Sequence, residues 1–301
     1  MRVPFRGIRH REALLLHGPA GWGEFSPFLE YDAAESARWL AAALEAAWTG
    51  WPEPVRNAVP VNATVPAVAA ADVAAVLARF PGCTTAKVKV AQAGQALADD
   101  VERVAAVRDA LGPTGRVRVD ANAAWSVEEA VRALTMLAPF DLEYAEQPCP
   151  TVDELAAVRR RVAVPIAADE SVRKAEDPLQ IALAGAADVV VLKVAPLRGV
   201  APALAVARAC GLPVVVSSAL DTSVGIAAGV ALAAALPDLP YACGLGTVSL
   251  MAGDVSSAPL TGAVLPVRAV LPDLLDDWPA APDRVRWWHQ RVRDCWEIMG
   301  S

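Results

Sequence analysis

Apolar runs of four to six residues recur through the middle of the chain, and Ala-rich helical stretches separate most of them. Eight of these runs read as strands: residues 61–64, 86–90, 116–120, 141–146, 165–169, 188–193, 213–217 and 241–244. Strand-then-helix order repeated in this way requires a parallel sheet, because each helix returns the chain to the edge it left. Eight such units close most naturally into a barrel with its active site at the C-terminal ends of the strands. An open doubly wound sheet is the alternative, weakened because no GxGxxG turn follows an early strand. Helix starts set the phase. Ser126 with Glu129, and Thr151 with Glu154, fit the capping-box pattern a few residues past a strand end. Asp120 and Glu146 therefore fall where strand meets loop.

A length of 301 residues suits one barrel plus a small addition. Tryptophan marks the addition. Trp22, Trp39, Trp48 and Trp51 precede residue 60, Trp278, Trp287, Trp288 and Trp296 follow residue 270, and only Trp125 lies between. Barrel interiors favour branched aliphatics, whereas a small core needs bulky aromatics. Residues 1–60 and 255–301 are therefore expected to pack together as a capping domain, with 61–254 as the catalytic barrel. Prolines mark both junctions, at Pro52, Pro54 and Pro60 and at Pro266 and Pro272.

Apolar residues make up 55% of the chain, enough for a large core, and the net charge is -7. That charge argues against nucleic acid or an anionic membrane as partner. Cys83, Cys149, Cys210, Cys243 and Cys295 are dispersed with no CxxC pair, which suits buried thiols in a reducing compartment. The first residues lack the apolar core of a signal peptide, and the longest apolar stretch, 224–236, is too short for a membrane span and reads as a buried helix. A cytoplasmic protein is expected. The oligomeric state is left open, a monomer included.

Five strand ends carry ionisable side chains. Lys87 and Lys89 lie in Ala-Lys-Val-Lys-Val, Asp120 ends Arg-Val-Arg-Val-Asp, and Glu146 ends Glu-Tyr-Ala-Glu. Asp169 closes Pro-Ile-Ala-Ala-Asp, and Lys193 closes Val-Val-Val-Leu-Lys. A charge there is costly to bury unless paired or metal-bound. Neighbouring strands lie about 4.8 Å apart, so three successive carboxylates converge on a space of cation size. Oxygen donors with no His or Cys beside them suit a hard divalent ion, Mg²⁺ first. Each acid alone could equally cap a helix or pair with an arginine; three in a row are harder to explain that way. Lys87 and Lys89 share one strand face, and with Lys193 opposite they repel, which lowers proton affinity and makes a base available.

Supporting candidates are less determined. Arg118, on the same face as Asp120, can orient it, reach a substrate carboxylate or serve the structure. Asn122 is a loop hydrogen-bonder or a substrate contact, and Glu170 orients a lysine or pairs at the surface. Ser217, Ser218, Gly244 and Gly246 can bind a carboxylate through hydroxyls and backbone N–H groups, or form only a turn and a helix cap. The segment Gly21-Trp-Gly-Glu-Phe-Ser-Pro27 is a lid or a hairpin. His10, His17 and His289 lie in the end segments, so no histidine base is indicated.

Together these residues resemble the enolase superfamily, whose members hold a divalent metal in an α/β barrel. The Lys-x-Lys of the second strand and the lysine of the sixth resemble the muconate-cycloisomerase-like branch. Within it, Gly-Trp-Gly-Glu-Phe-Ser-Pro-Phe, Asp-Ala-Asn-Ala-Ala-Trp, Ser-Ser-Ala-Leu-Asp-Thr-Ser-Val-Gly and Gly-Leu-Gly-Thr are most similar to the actinobacterial type of the o-succinylbenzoate synthase family. The resemblance implies a modified (β/α)7β barrel under an α+β cap, and a menaquinone-pathway dehydratase acting on a small carboxylate. It further implies metal ligands Asp120, Glu146 and Asp169, a base at Lys89 and a cation at Lys193. Racemisation of N-acylamino acids, muconate-type cycloisomerisation and a non-catalytic anion-binding barrel are the competing expectations.

Overall fold

A computed structural model describes residues 1–174 and 185–300. The chain opens with an antiparallel hairpin, β1 (Leu14–Gly18) and β2 (Gly21–Phe25). Helix α1 (Ala33–Leu44) follows, its first turn capped by the Asp32 side chain, which accepts from the Glu35 N–H at 2.8 Å. A short strand, β3 (Ala58–Pro60), leads into the barrel.

Barrel strands and helices then alternate: β4 (Ala63–Val65), α2 (Val73–Leu77), β5 (Thr85–Lys89), α3 (Leu97–Leu111), β6 (Arg116–Asp120) and α4 (Val127–Leu137). They continue as β7 (Leu142–Glu146), α5 (Val152–Arg159), β8 (Ile166–Ala168), α6 (Glu170–Lys174) and β9 (Val189–Leu192). The last are α7 (Val200–Cys210), β10 (Val214–Val216) and α8 (Ser223–Ala235). Both expected capping boxes form, at Ser126/Glu129 on α4 and Thr151/Glu154 on α5. The apolar stretch after residue 223 is α8, buried over nearly its whole length.

β4 to β10 form one parallel sheet in sequence order. The eighth expected strand, 241–244, is not a ladder. Cys243 and Gly244 instead make single parallel bridges to the two sheet edges, at Val61 and Ser217. Cys243 N–H donates to the Pro60 carbonyl at 2.7 Å and Gly244 N–H to the Val216 carbonyl at 2.8 Å. Two residues thus close the barrel. The approach is close, since a Cβ on Gly244 would stand 2.5 Å from Ser217 Oγ.

The barrel interior packs Tyr144, Ala167, Val189, Val191 and Val215 against Tyr241. A larger core of mostly Val, Leu and Ala lies between strands and helices. Both chain ends share a third core: Phe25, Trp39 and Leu40 pack on Trp288 and Cys295 of α9 (Pro282–Gly300). Phe25 and Trp288 meet edge to face at 5.7 Å. Of the tryptophans at the chain ends, Trp39 and Trp288 are buried here, whereas Trp48, Trp278 and Trp296 are half exposed, so the aromatic excess is only partly core. A final strand, β11 (Val264–Pro266), pairs with β3. Among the described residues no helix is long and apolar enough to cross a membrane.

Charges from the N-terminal part grip the barrel at two helix starts. The Glu45 carboxylate accepts from the N–H groups of Val200 (2.5 Å) and Ala201 (2.9 Å), at the start of α7. Glu24 accepts from Thr222 N–H, Thr222 Oγ1 and Gly225 N–H, at the start of α8. Arg11 donates to the carbonyls of Ala219 and Leu220 between them.

Candidate active site

Register puts the charged strand ends in one row. Lys89 stands beside Asp120, and Asp120 beside Glu146. Asp169 follows β8 and Lys193 follows β9. All three carboxylates are 1% exposed, so water cannot solvate them, and each is paired with an ammonium. Lys87 Nζ donates to both Glu146 oxygens at 2.9 and 2.8 Å and lies 3.6 Å from Asp120. Lys89 Nζ pairs with Asp120 and donates to Asn122 Oδ1 at 2.9 Å. Lys193 Nζ meets Asp169 at 2.5 Å.

These environments separate the two lysines of β5. Burial pushes the Lys89 ammonium down, Asp120 raises it, the Lys87 charge lowers it, and the net shift is downward. Burial would lower Lys87 too, but Glu146 and Asp120 outweigh it and hold Lys87 above the usual lysine range. Of the two lysines of β5 the expected lowering therefore falls on Lys89, because Lys87 has Glu146 as its own partner and shares Asp120 with Lys89. Burial would raise Asp120, yet Lys89 and Lys87 hold it well below the carboxylate range. Burial, with repulsion from Asp120 and Asp169, raises Glu146 to about 7 despite Lys87.

The donor set suits a hard divalent cation. Among the described residues no three acid, His or Cys side chains form a closed metal-binding group, because the carboxylates turn to their lysines. The three nevertheless offer only oxygen, and Asp120 and Asp169 both repel Glu146. A cation among them relieves that repulsion.

A cavity of about 360 Å³ opens above this row. Lys87, Lys89 and Lys193 line its floor, and Asn122, Ser217, Ser218 and Gly244 line its barrel walls. Asn122, in the left-handed region at φ 47°, also donates to Glu170 at 3.2 Å, linking that acid to Lys89. Ser218 Oγ donates to the Gly244 carbonyl at 2.8 Å.

Two expected contacts lie elsewhere. Arg118 is two residues deeper on β6 than Asp120, about 7 Å down the barrel. Its guanidinium donates to Glu143 (2.5 Å), Asn62 (3.1 Å) and the Ala242 carbonyl (2.7 Å) and stacks on Tyr144. It fills the barrel interior rather than orienting Asp120 or reaching the cavity. Gly246 packs against the Asn62 carbonyl and Phe80, outside the cavity lining.

Part of the cavity wall escaped the sequence reading. The 21–27 segment is a hairpin strand, not a lid. Phe5–Ile8 and Phe28 line the cavity from the cap side, with the Phe5 ring 5.2 Å from Lys89 Nζ. Arg6 and Gly7 take φ of 51° and 79° between the bridged Phe5 and Ile8. An apolar-x-Gly-apolar tip is the signal that marks such a turn.

Known proteins match along most of the chain. A family described as Enolase C-terminal domain-like matches residues 69–263, and one described as Enolase N-terminal domain-like matches residues 1–47. The o-succinylbenzoate synthase of Thermobifida fusca is 66% identical over 272 residues, covering 90% of this chain and 84% of that protein. The chain belongs to the enolase superfamily, in its o-succinylbenzoate synthase family. The Mycobacterium marinum member is 59% identical over 304 residues, covering 99% of this chain and 92% of its own. The enolase-superfamily fold recurs in the crystal structure of a dipeptide epimerase from Enterococcus faecalis complexed with Mg and L-Leu-L-Tyr. That structure gives a TM-score of 0.72 at 22% identity, covering 86% of this chain and 90% of that one.

Proposed function

We propose that this enzyme is a lyase that dehydrates 2-succinyl-6-hydroxy-2,4-cyclohexadiene-1-carboxylate to 2-succinylbenzoate in menaquinone biosynthesis. The observation that carries the site assignment is the pair Lys89 and Lys193. They line one cavity from strands at opposite sides of the barrel, with three buried carboxylates on the strands between. On this reading residues 61–254 supply the chemistry, and residues 1–60 with 255–301 form the cap.

Asp120, Glu146 and Asp169 would hold a divalent metal, Mg²⁺ by donor chemistry and by its presence in the epimerase complex. When bound, it supplies positive charge against the charge that develops on the substrate carboxylate. Lys89 takes the proton from the carbon bearing that carboxylate. Its lowered proton affinity suits the role. The electron pair moves into the ring, the C–O bond at the hydroxyl carbon breaks, and Lys89 returns the proton so that water leaves. Lys193 keeps its ammonium against the opposite face of the flat, electron-rich ring. Ser217, Ser218 and the Gly244 backbone stand where the second carboxylate can be met, and Asn122 orients Lys89.

The test follows loss of the diene absorbance with Mg²⁺ and then with EDTA. Fast loss that EDTA abolishes supports the dehydratase and its carboxylate site together. No turnover with Mg²⁺ present rejects the substrate. The opposed lysines also suit racemisation of an N-acylamino acid, which solvent deuterium entering the α-carbon would reveal.

A further inference from the structure

A buried ion pair on α3 reaches the backbone at the end of β5. Arg103 is fully buried and Asp100 is 3% exposed. Arg103 Nη1 donates to the Lys89 carbonyl at 2.9 Å and to Asp100 Oδ1 at 2.8 Å. Asp100 Oδ2 accepts from the Ala91 N–H at 2.9 Å. The pair therefore holds the chain on both sides of Val90. Ala91 turns into the left-handed region at φ 58°, costly for a residue with a Cβ unless its surroundings hold it. The other Arg103 donors seize the Val68 carbonyl, in the loop after β4, and Gln95 Oε1, in the loop after β5.

Burying an ion pair is a poor way to gain stability, since apolar residues of similar volume do as well or better. Arg103 spends its donors on the Lys89 carbonyl itself, on Asp100, which holds Ala91, and on the Val68 and Gln95 loops that flank the end of β5. We propose that Arg103 and Asp100 are positioning residues for Lys89: they fix the backbone from which that side chain reaches the substrate. The proposal rests on Lys89 being the base. An error of 1 Å in such a group can cost about 100-fold in rate.

The experiment compares Arg103→Met and the near-isosteric Asp100→Asn with the parent and with Lys89→Ala. It measures kcat per folded molecule, KM, and the Mg²⁺ dependence of melting. The expected result is a kcat lowered about ten- to hundred-fold, with KM and the Mg²⁺-induced shift near the parent's. A purely structural pair would lower the melting temperature and leave kcat per folded molecule unchanged, which overturns the proposal. Failure of both variants to fold assigns the pair to the fold and overturns it as well. An active Lys89→Ala would instead remove the base assignment, a result separate from either.

Discussion

Among the residues of the cavity floor, Lys89 has the environment a base requires: burial lowers its proton affinity, and Asn122 and Asp120 hold it in place. Lys89→Ala should lose about a hundred- to ten-thousandfold in kcat, as removal of a general base does, with far-ultraviolet dichroism unchanged. Near-parental turnover would reject the assignment. Glu24 makes a different prediction, about pH and stability. Burial, then the Asp221 charge, raises its carboxyl from 4.5 to about 7; Thr222, Ser26 and Arg11 pull the other way and lose. Below the unfolded value both states hold the proton and the stabilising contribution is complete. Between the two values only the folded state holds it, so stability falls as pH rises, and the contribution is gone above about 7. Glu24→Gln has no proton to lose. Urea unfolding of parent and variant should therefore diverge between about pH 5 and pH 8 in the variant's favour, by on the order of 3 kcal/mol. A difference that stays flat with pH contradicts the assignment.

At the level of strands and helices, the turn at residues 243–244 carries more than its length suggests, because it joins the sheet edges and lines the cavity. Gly244→Ala would put a Cβ 2.5 Å from Ser217 Oγ and 3.2 Å from its Cβ. Ser217 would have to rotate or the bridge open. The expected cost is about 1–3 kcal/mol in unfolding free energy, with KM raised more than kcat is lowered. Steady-state kinetics showing an unchanged KM would exclude a role for this turn in binding. The same turn shows where sequence reading stops. β6 is found at its expected residues because apolar alternation ends on a charge. Residues 241–244 carry the composition of a strand, but they make only two single bridges, at Val61 and Ser217, a tertiary outcome that no local pattern records. Of the roles open to Arg118 the structure shows the structural one, in the barrel interior. Alternation and spacing give the face and the depth of the side chain, while its partners Glu143, Tyr144 and Tyr241 come from elsewhere in the chain and are not recorded locally. The Phe5–Ile8 turn lies far from the barrel in sequence, so nothing local ties it to the cavity it lines.

Across the whole molecule, the N-terminal segment that lines the cavity is tied to the barrel by charge placed at helix starts. The first N–H groups of a helix lack partners within it, and a carboxylate there satisfies both hydrogen bonding and the helix dipole. Glu45 does this for α7, which follows Lys193, and Glu24, its carboxyl raised by burial to about 7, supplies the hydrogen-bond acceptors for α8, which follows Ser217 and Ser218. The cap thereby sets the two loops that carry one side of the cavity. The tryptophan distribution hinted that the chain ends share a core, but these acids were silent in sequence, because their partners lie 155 and 198 residues away. Glu45→Gln keeps the shape and removes the charge. Gln still accepts one hydrogen bond, so the loss is expected near the lower end of a capping contribution, about 1 kcal/mol, in chemical unfolding. Glu24 and Arg11 still join cap to barrel in that variant, so its unfolding should remain a single transition by both fluorescence and dichroism. If tryptophan fluorescence, reporting mainly on the chain ends, instead melts before the dichroism of the barrel helices, Glu45 is the principal tie between the parts. If neither midpoint nor cooperativity moves, the contact contributes nothing to their coupling.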